Sequence, residues 1–405
     1  MSEKKLPLAG VRVLDLSRVL AGPYCALMLA DMGADVIKIE NPDGGDDSRS
    51  FLVPSYRGIA TYFLTMNRNK RSVALDLKAP EGRAAFLKLV AEADVVVENF
   101  RTGVMERLGL GYETLKAVRP GLVYCAISGY GRSGPNIEVP GYDPVAQAES
   151  GLMSMIGEPA GHPTRVGPSI VDLVCGLYAA QAISAALRQV AVTGEGCLVE
   201  ATLHETGMNL LANFAGAYLM TGVNPTRTGN DNQVAQPAGV YDASDGPFMI
   251  AVITDAQFRK LCADVIGRPE LSSDPRFALN ADRLKNLPAL KEVLGATFAT
   301  GPRDGWVARL RKAGVPAGAV ASVSEALDGE LVAARGTVRQ MSHATAGTYP
   351  ALRTPARFHD TELPPAEGAP LLGEHTRAVL REVAGMSDAE ITALESSGAA
   401  KSTSP

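Results

Sequence analysis

Asp172 is the one charged residue in PSIVDLVCG (168–176), and the run that follows it, LYAAQAISAAL (177–187), reads as a buried helix. A carboxylate among apolar neighbours needs a reason. The plain one is helix capping, worth about 1 kcal/mol, with a further ~0.3–1 kcal/mol from the helix dipole. Other reactive side chains offer no competing constellation. The five cysteines (Cys25, Cys125, Cys175, Cys197, Cys262) are widely separated and form no CxxC pair, so they read as small core residues. The five histidines are scattered too, without metal-ligand spacing. No metal site is expected.

The elements that would have to position Asp172 follow from hydrophobic periodicity. VRVLDL (11–16) is an apolar β run, GPYCALMLADM (22–32) has helical spacing, and ADVIKI (34–39) is a second β run that ends at Glu40. The alternation continues through SVALDL (72–77), the helix PEGRAAFLKLVAEA (80–93), DVVVENF (94–100), YETLKAV (112–118) and GLVYCAISGYG (121–131). Such a pattern predicts an α/β fold, Rossmann-like, with a mostly parallel sheet covered by helices. A dinucleotide-binding dehydrogenase would need GxGxxG after the first strand. The chain has SRVLAGPYC there, with one glycine, which excludes that pyrophosphate turn.

From about residue 225 the texture becomes polar and loop-rich, then resumes with a strand at PFMIAVI, helices around 255–265 and 288–298, and a helix–strand–helix pattern in DGWVARLRKAGVPAGAVASVSEAL. We therefore divide the chain into a large domain (1–225), a small α+β domain (226–330) and a return to the large domain (331–405) with the C-terminal helix LLGEHTRAVLREV. Only SSGAAKSTSP, at the end, reads as a loose tail.

Composition narrows the function. With 46% hydrophobic and 20% charged residues the chain is an ordinary globular protein, and a net charge of -5 without a basic arm argues against nucleic acid. The start, MSEKKLPLAG, lacks the apolar centre of a leader, and the apolar run at 173–187 is interrupted by Gln181 and Ser184, so no membrane partner is expected and the cytosol is the expected compartment.

Several stretches together resemble the family III CoA-transferases, which include formyl-CoA transferase, carnitine CoA-transferase and α-methylacyl-CoA racemase. They are LAGVRVLDLSRVLAGPYCALMLADMGADVIKIE (8–40), NRNKRSVALDL (67–77), VVVENFRTGVMERLGLGYE (95–113), ISGYGRSGP (127–135), GYDPVAQAESGLM (141–153), GEGCLVEATLHE (194–205) and the later GEHTRAVL. The resemblance implies an interlinked homodimer, with coenzyme A thioester as substrate and no permanently bound cofactor. It implies that Asp172 is the nucleophile, becoming the acyl part first of an anhydride and then of an aspartyl-CoA thioester. An unperturbed aspartate pKa of about 3.9 leaves roughly three units before burial would neutralise it at pH 7.

The same resemblance places CoA against Arg18, Leu75, Asp76, Leu77, Lys78, Asn99, Phe100, Arg101, Arg107 and Tyr142, with the arginines on phosphate. Racemase members carry histidine at position 142. A phenol, with pKa near 10, is a poor base, so transfer is favoured and an α-methylacyl-CoA racemase or epimerase is the alternative. Two departures stand out. The glycine-rich lid of formyl-CoA transferase is missing from 226–260, which argues against formate and oxalate, and Asn41 stands where relatives often have arginine, so that one phosphate contact is either absent or supplied by Lys38. The helix stretch most resembles members that pass CoA from succinyl-CoA to a small dicarboxylic acid. A second carboxylate needs a cation, for which Arg49, Arg71 and Arg165 are candidates.

Overall fold

Six strands form the body of one parallel sheet: β1 (Arg12–Asp15), β2 (Asp35–Glu40), β3 (Lys70–Leu75), β4 (Val95–Glu98), β5 (Val123–Ser128) and β6 (Leu198–Thr202). In this computed structural model, which describes residues 6–359, 361 and 367–403, they lie in the order β3–β2–β1–β4–β5–β6. A short strand, Ala400–Lys401, closes the β3 edge in the antiparallel sense. The chain therefore winds outward from β1 in one direction and from β4 in the other. The switch point between β1 and β4 is where an open α/β sheet binds its ligand.

Alternation along each strand supplies two cores. Leu14, Ile37, Val73, Val96 and Tyr124 face one side with Phe86 and Leu89, whereas Val13, Val36, Val95, Val97 and Cys125 face the other with Cys25, Cys175 and Ala179. Both faces being covered, the strands read as continuous apolar runs. The second core rests on two helices, Ala21–Asp31 and the long helix Ile170–Thr193. They approach closely at Gly176, where a Cβ would stand 2.6 Å from the Ala21 carbonyl oxygen. By length and composition the long helix is apolar enough to cross a membrane, the polar interruptions at Gln181 and Ser184 notwithstanding; its inner face packs on the sheet.

The C-terminal stretch is held by hydrogen bonds, contrary to the expectation of a loose tail. Ala400 is buried, the Asp76 N–H donates to the Ala399 carbonyl at 2.9 Å, and Thr376 Oγ1 accepts from Ala74 N at 3.0 Å while donating to the Lys401 carbonyl at 2.7 Å. An edge strand leaves free backbone groups that a neighbouring segment can pair. Residues 404 and 405 of that tail, and residues 1–5 of the start read for a leader, lie outside the described residues.

The chain divides into two compact units. One comprises Met1–Leu152, Val166–Gly216 and Arg335–Pro405; the other comprises Met153–Arg165 and Ala217–Ala334. The second unit thus takes in residues 153–165, which sequence texture alone leaves in the large domain. Its own sheet is antiparallel, Ala238–Ala243 pairing with Gly246–Ala251 and that with Ala317–Ala319. Phe298 centres its core, with edge-on contacts to Tyr241, Phe248 and Trp306 at ring separations of 5.0–5.3 Å.

Candidate active site

Two cavities open at the carboxyl ends of the strands, both within the first unit. One, of about 440 Å³, is walled by Leu75, Asp76, Leu77 and Lys78 after β3 and by residues that follow β1, β2 and β4. The other, of about 280 Å³, is reached by Asn99, Tyr130, Tyr142 and Asp172. Arg18, Asp47, Phe100 and Arg101 line both cavities and stand where they adjoin, at the β1–β4 switch point.

Arg18 and Asn99 are clasped through backbone and side chain: the Arg18 N–H donates to Asn99 Oδ1 at 2.8 Å, and Asn99 Nδ2 donates to the Arg18 carbonyl at 2.7 Å. The Arg18 guanidinium lies 5.3 Å from the Phe100 ring centroid and pairs with Asp47 at 3.3 Å. Next to it Val19 has φ of 69°, a left-handed conformation that a β-branched residue rarely adopts. Asp46 Oδ1 accepts the Val19 N–H at 3.1 Å and helps hold the strained turn. The side chains of Arg101 and Lys78 are exposed and form no hydrogen bond or ion pair among the described residues, leaving two cations for an anionic ligand.

Of the residues expected at the nucleotide, Arg18, Leu75, Asp76, Leu77, Lys78, Asn99, Phe100, Arg101 and Tyr142 line one cavity or the other. Arg107 does not. It is exposed on the short helix Val104–Arg107, whose Val104 is part of the wall. Asp47 and the Ser128–Gly131 loop also line the cavities, although sequence reasoning passed over them. They stand at the carboxyl ends of β2 and β5, so the rule that ligands of an open α/β sheet bind at its strand ends could have found them.

Lys38 cannot take the phosphate role that the missing arginine at 41 suggested. Its side chain is fully buried, with Nζ 2.8 Å from Asp46 Oδ2, 3.9 Å from Asp15 Oδ2 and 2.8 Å from the Ser17 carbonyl. Lys70 completes the group, donating to Asp15 Oδ2 at 2.8 Å. Burial alone would raise the Asp15 carboxyl, yet Lys70 and Lys38 hold it below the usual range. Arg49 and Arg71 are committed as well: Arg49 forks onto Glu40 with two 2.8 Å bonds, and Arg71 onto Asp35 at 2.9 and 2.6 Å. Arg165 belongs to the second unit.

Asp172 lies in the first turn of the long helix and is not its cap. The N-cap is Ser169, without a capping side chain. Asp143, in the helix Asp143–Glu149, serves that end instead: its Oδ2 accepts the N–H groups of Val171 at 2.8 Å and Asp172 at 3.2 Å. Asp143 reaches the helix because Gly141 and Gly129 touch backbone to backbone, a Cβ on Gly141 falling 2.2 Å from the Gly129 Cα. Tyr142, between them, is 65% exposed, so it is no core aromatic.

The Asp172 carboxylate itself has no hydrogen bond or ion pair among the described residues. Burial first, and the Asp143 charge second, push its pKa up to about 7, so the three-unit margin expected from sequence is used up. A lone carboxylate poised near neutrality on a cavity wall is equipped to attack an electrophilic carbonyl.

Comparison with known proteins identifies the family and the fold. The profile of CoA-transferase family III matches residues 8–376. A succinate–glutarate CoA-transferase from Agrobacterium fabrum is 40% identical over 390 residues, covering 95% of this chain and 97% of that protein. An acetyl-CoA:oxalate CoA-transferase from Acetobacter aceti is 42% identical over 335 residues, covering 82% and 86%. The crystal structure of a CAIB/BAIF family protein from Brucella suis superposes with a TM-score of 0.85 at 41% identity, covering 94% of this chain and all of that one.

Proposed function

Since this chain belongs to CoA-transferase family III and is a CoA-transferase, we propose that it moves CoA between succinyl-CoA and a small dicarboxylic acid through covalent intermediates on Asp172. The reading is carried by the unpaired Asp172 carboxylate, on the wall of a cavity that shares Arg18 and Arg101 with the strand-end cavity beside Lys78. Two relatives act, by name, on dicarboxylic acids or their CoA esters, glutarate and succinate in one and oxalate in the other, which supports that acceptor class. The oxalate relative weakens the argument against oxalate from the missing glycine lid, so oxalate belongs among the acceptors to be tried.

In this scheme the CoA phosphates lie against Arg18, Lys78 and Arg101, the nucleotide beside Leu75–Lys78, and the thiol arm passes Asn99, Phe100 and Tyr142 toward Asp172. An Asp172 oxygen attacks the thioester carbonyl carbon, the C–S bond breaks, and an aspartyl anhydride and CoA thiolate result. The thiolate attacks the aspartyl carbonyl carbon and expels the donor acid, leaving an aspartyl-CoA thioester. The acceptor carboxylate attacks that thioester, the released thiolate attacks the acceptor's acyl carbon in the new anhydride, and Asp172 is free again. Coenzyme A thioester is a substrate in this cycle, with no resident cofactor. The working compartment is the cytosol. The partner is a second copy of the chain, supported by the outward Leu177 and Tyr178 of the long helix, both nearly half exposed.

Mass spectrometry of protein incubated with succinyl-CoA tests the scheme. A CoA adduct at Asp172, absent from Asp172→Ala, is expected, together with turnover of glutarate and other dicarboxylates. An active Asp172→Ala variant overturns the covalent role, and activity confined to monocarboxylates overturns the substrate class.

A further inference from the structure

A nucleophilic carboxylate poses a positioning problem. A cation or donor on its oxygens would orient it but also blunt it, so its placement has to come from its backbone. In the first turn of the long helix that placement passes to Asp143, which takes the N–H groups of both Val171 and Asp172. Asp143 is in turn held by Gln147, one helical turn on and fully buried: Gln147 Nε2 donates to Asp143 Oδ1 at 2.6 Å, and Gln147 Oε1 accepts the Val166 N–H at 2.8 Å.

Only one orientation of the Gln147 amide works. Turned over, it would set its NH₂ against the Val166 N–H and its oxygen against a carboxylate oxygen, leaving two buried donors and two buried acceptors unmatched. The chain Val166–Gln147–Asp143–Asp172 therefore has a fixed polarity. We propose that Gln147 is a positioning residue for the transfer reaction, acting through Asp143 to fix the Asp172 backbone while leaving the Asp172 carboxylate free. This rests on Asp172 being the nucleophile.

The charged and titratable groups around Asp172 are few. They are Asp143 from the facing helix, Tyr62 from the helix Thr61–Met66, Cys175 one turn along its own helix, and Arg18, Asp47, Arg101, Tyr130 and Tyr142 on the cavity wall. Gln147 stands behind Asp143, so a charge introduced there lies next to the carboxylate that faces Asp172.

The test reverses the polarity. Gln147→Glu removes the donor and sets a carboxylate against Asp143. Transfer from succinyl-CoA is expected to lose about 10–100-fold in kcat with KM for the thioester kept within about threefold, and the acidic limb of kcat/KM is expected to rise by roughly one pH unit. Gln147→Met, which cannot donate but adds no charge, should lose kcat without that rise; it also covers the case in which the glutamate variant does not fold. In Asp143→Asn with Gln147→Glu, the introduced asparagine amide donates to the introduced carboxylate and its oxygen accepts from the helix, while that carboxylate accepts the Val166 N–H. The bonds to Val171, Asp172 and Val166 N–H are re-formed and only the long 3.4 Å bond from Gln147 Nε2 to the Val166 carbonyl is lost, with the negative charge one side chain further from Asp172. That double variant should recover most of kcat, within about tenfold of the parent, with an acidic limb below the parent's.

Parental kcat and limb in both single variants would overturn the proposal. So would a folded double variant no better than Gln147→Glu, or a Gln147→Glu variant in which the melting temperature and kcat fall while the limb stays put. Full activity in Asp172→Ala would instead remove the nucleophile reading on which the proposal rests.

Discussion

Asp15 and Asp172 are the same side chain in two settings. Asp15 is fully buried at the end of β1, yet Lys70 and Lys38 keep its carboxyl below the ordinary range. Asp172 retains a path to water and has no cation on it, yet its pKa climbs to about 7. Depth of burial thus does not rank the two; pairing does. The paired carboxylate ties β1, β2 and β3 together under the cavities, and the unpaired one is left available for bond making. Lys70 has the complementary signature: burial, incompletely offset by Asp15, lowers its pKa to about 8.

Breaking the paired side should give the largest effect on stability. Lys70→Met leaves Asp15 buried with its closest countercharge gone and is expected to destabilise the chain by about 3–5 kcal/mol, read as a lower urea midpoint at unchanged slope. At the substrate side, Arg101→Ala removes an uncommitted cation. Steady-state kinetics should show KM for succinyl-CoA rising about tenfold, or ~1.4 kcal/mol, with kcat nearly unaltered. A change confined to kcat would assign Arg101 to the reacting acyl end instead.

The smallest shift in stability sharpens the contrast through pH. A carboxyl that holds its proton more tightly folded than unfolded adds stability at low pH and loses it as pH rises from about 4, the unfolded value, to about 7. Asp172→Asn is free of that loss. Discounted for the solvent that reaches the cavity, the gain is about 2 kcal/mol at pH 8, or roughly 2–4 °C in melting temperature, and it should fade by pH 5. A melting temperature lower than the parent's at pH 8 would mean that Asp172 stabilises the fold.

The sheet was readable in advance because β1 to β5 are covered on both faces and so spell continuous apolar runs. The residues of the ligand crevice came through the family resemblance, and Asp172 stood out by its neighbours. What sequence could not show is where charges are consumed. Lys38 looks like a strand-end cation, but Asp46, eight positions along, takes it from below. Nothing local announces that Asp143 will serve a helix that begins at Ile170, since that pairing exists only once Gly129 and Gly141 have met. The pKa of Asp172 was missed for the same reason: its two causes, enclosure and a facing carboxylate, are both tertiary.

The clasp on β3 has a further bearing on how the protein is made. Asp76, on the wall of the 440 Å³ cavity, is bonded to Ala399, and Ala74 to Thr376, contacts separated by some three hundred positions. On the ribosome, β1 to β6 and Asp172 emerge long before either partner. A nascent chain can shape the Asp172 end early, but the ledge at the end of β3 is completed only when synthesis has nearly finished, so on the proposed function an unfinished chain would have a nucleophile without a secure hold on its substrate.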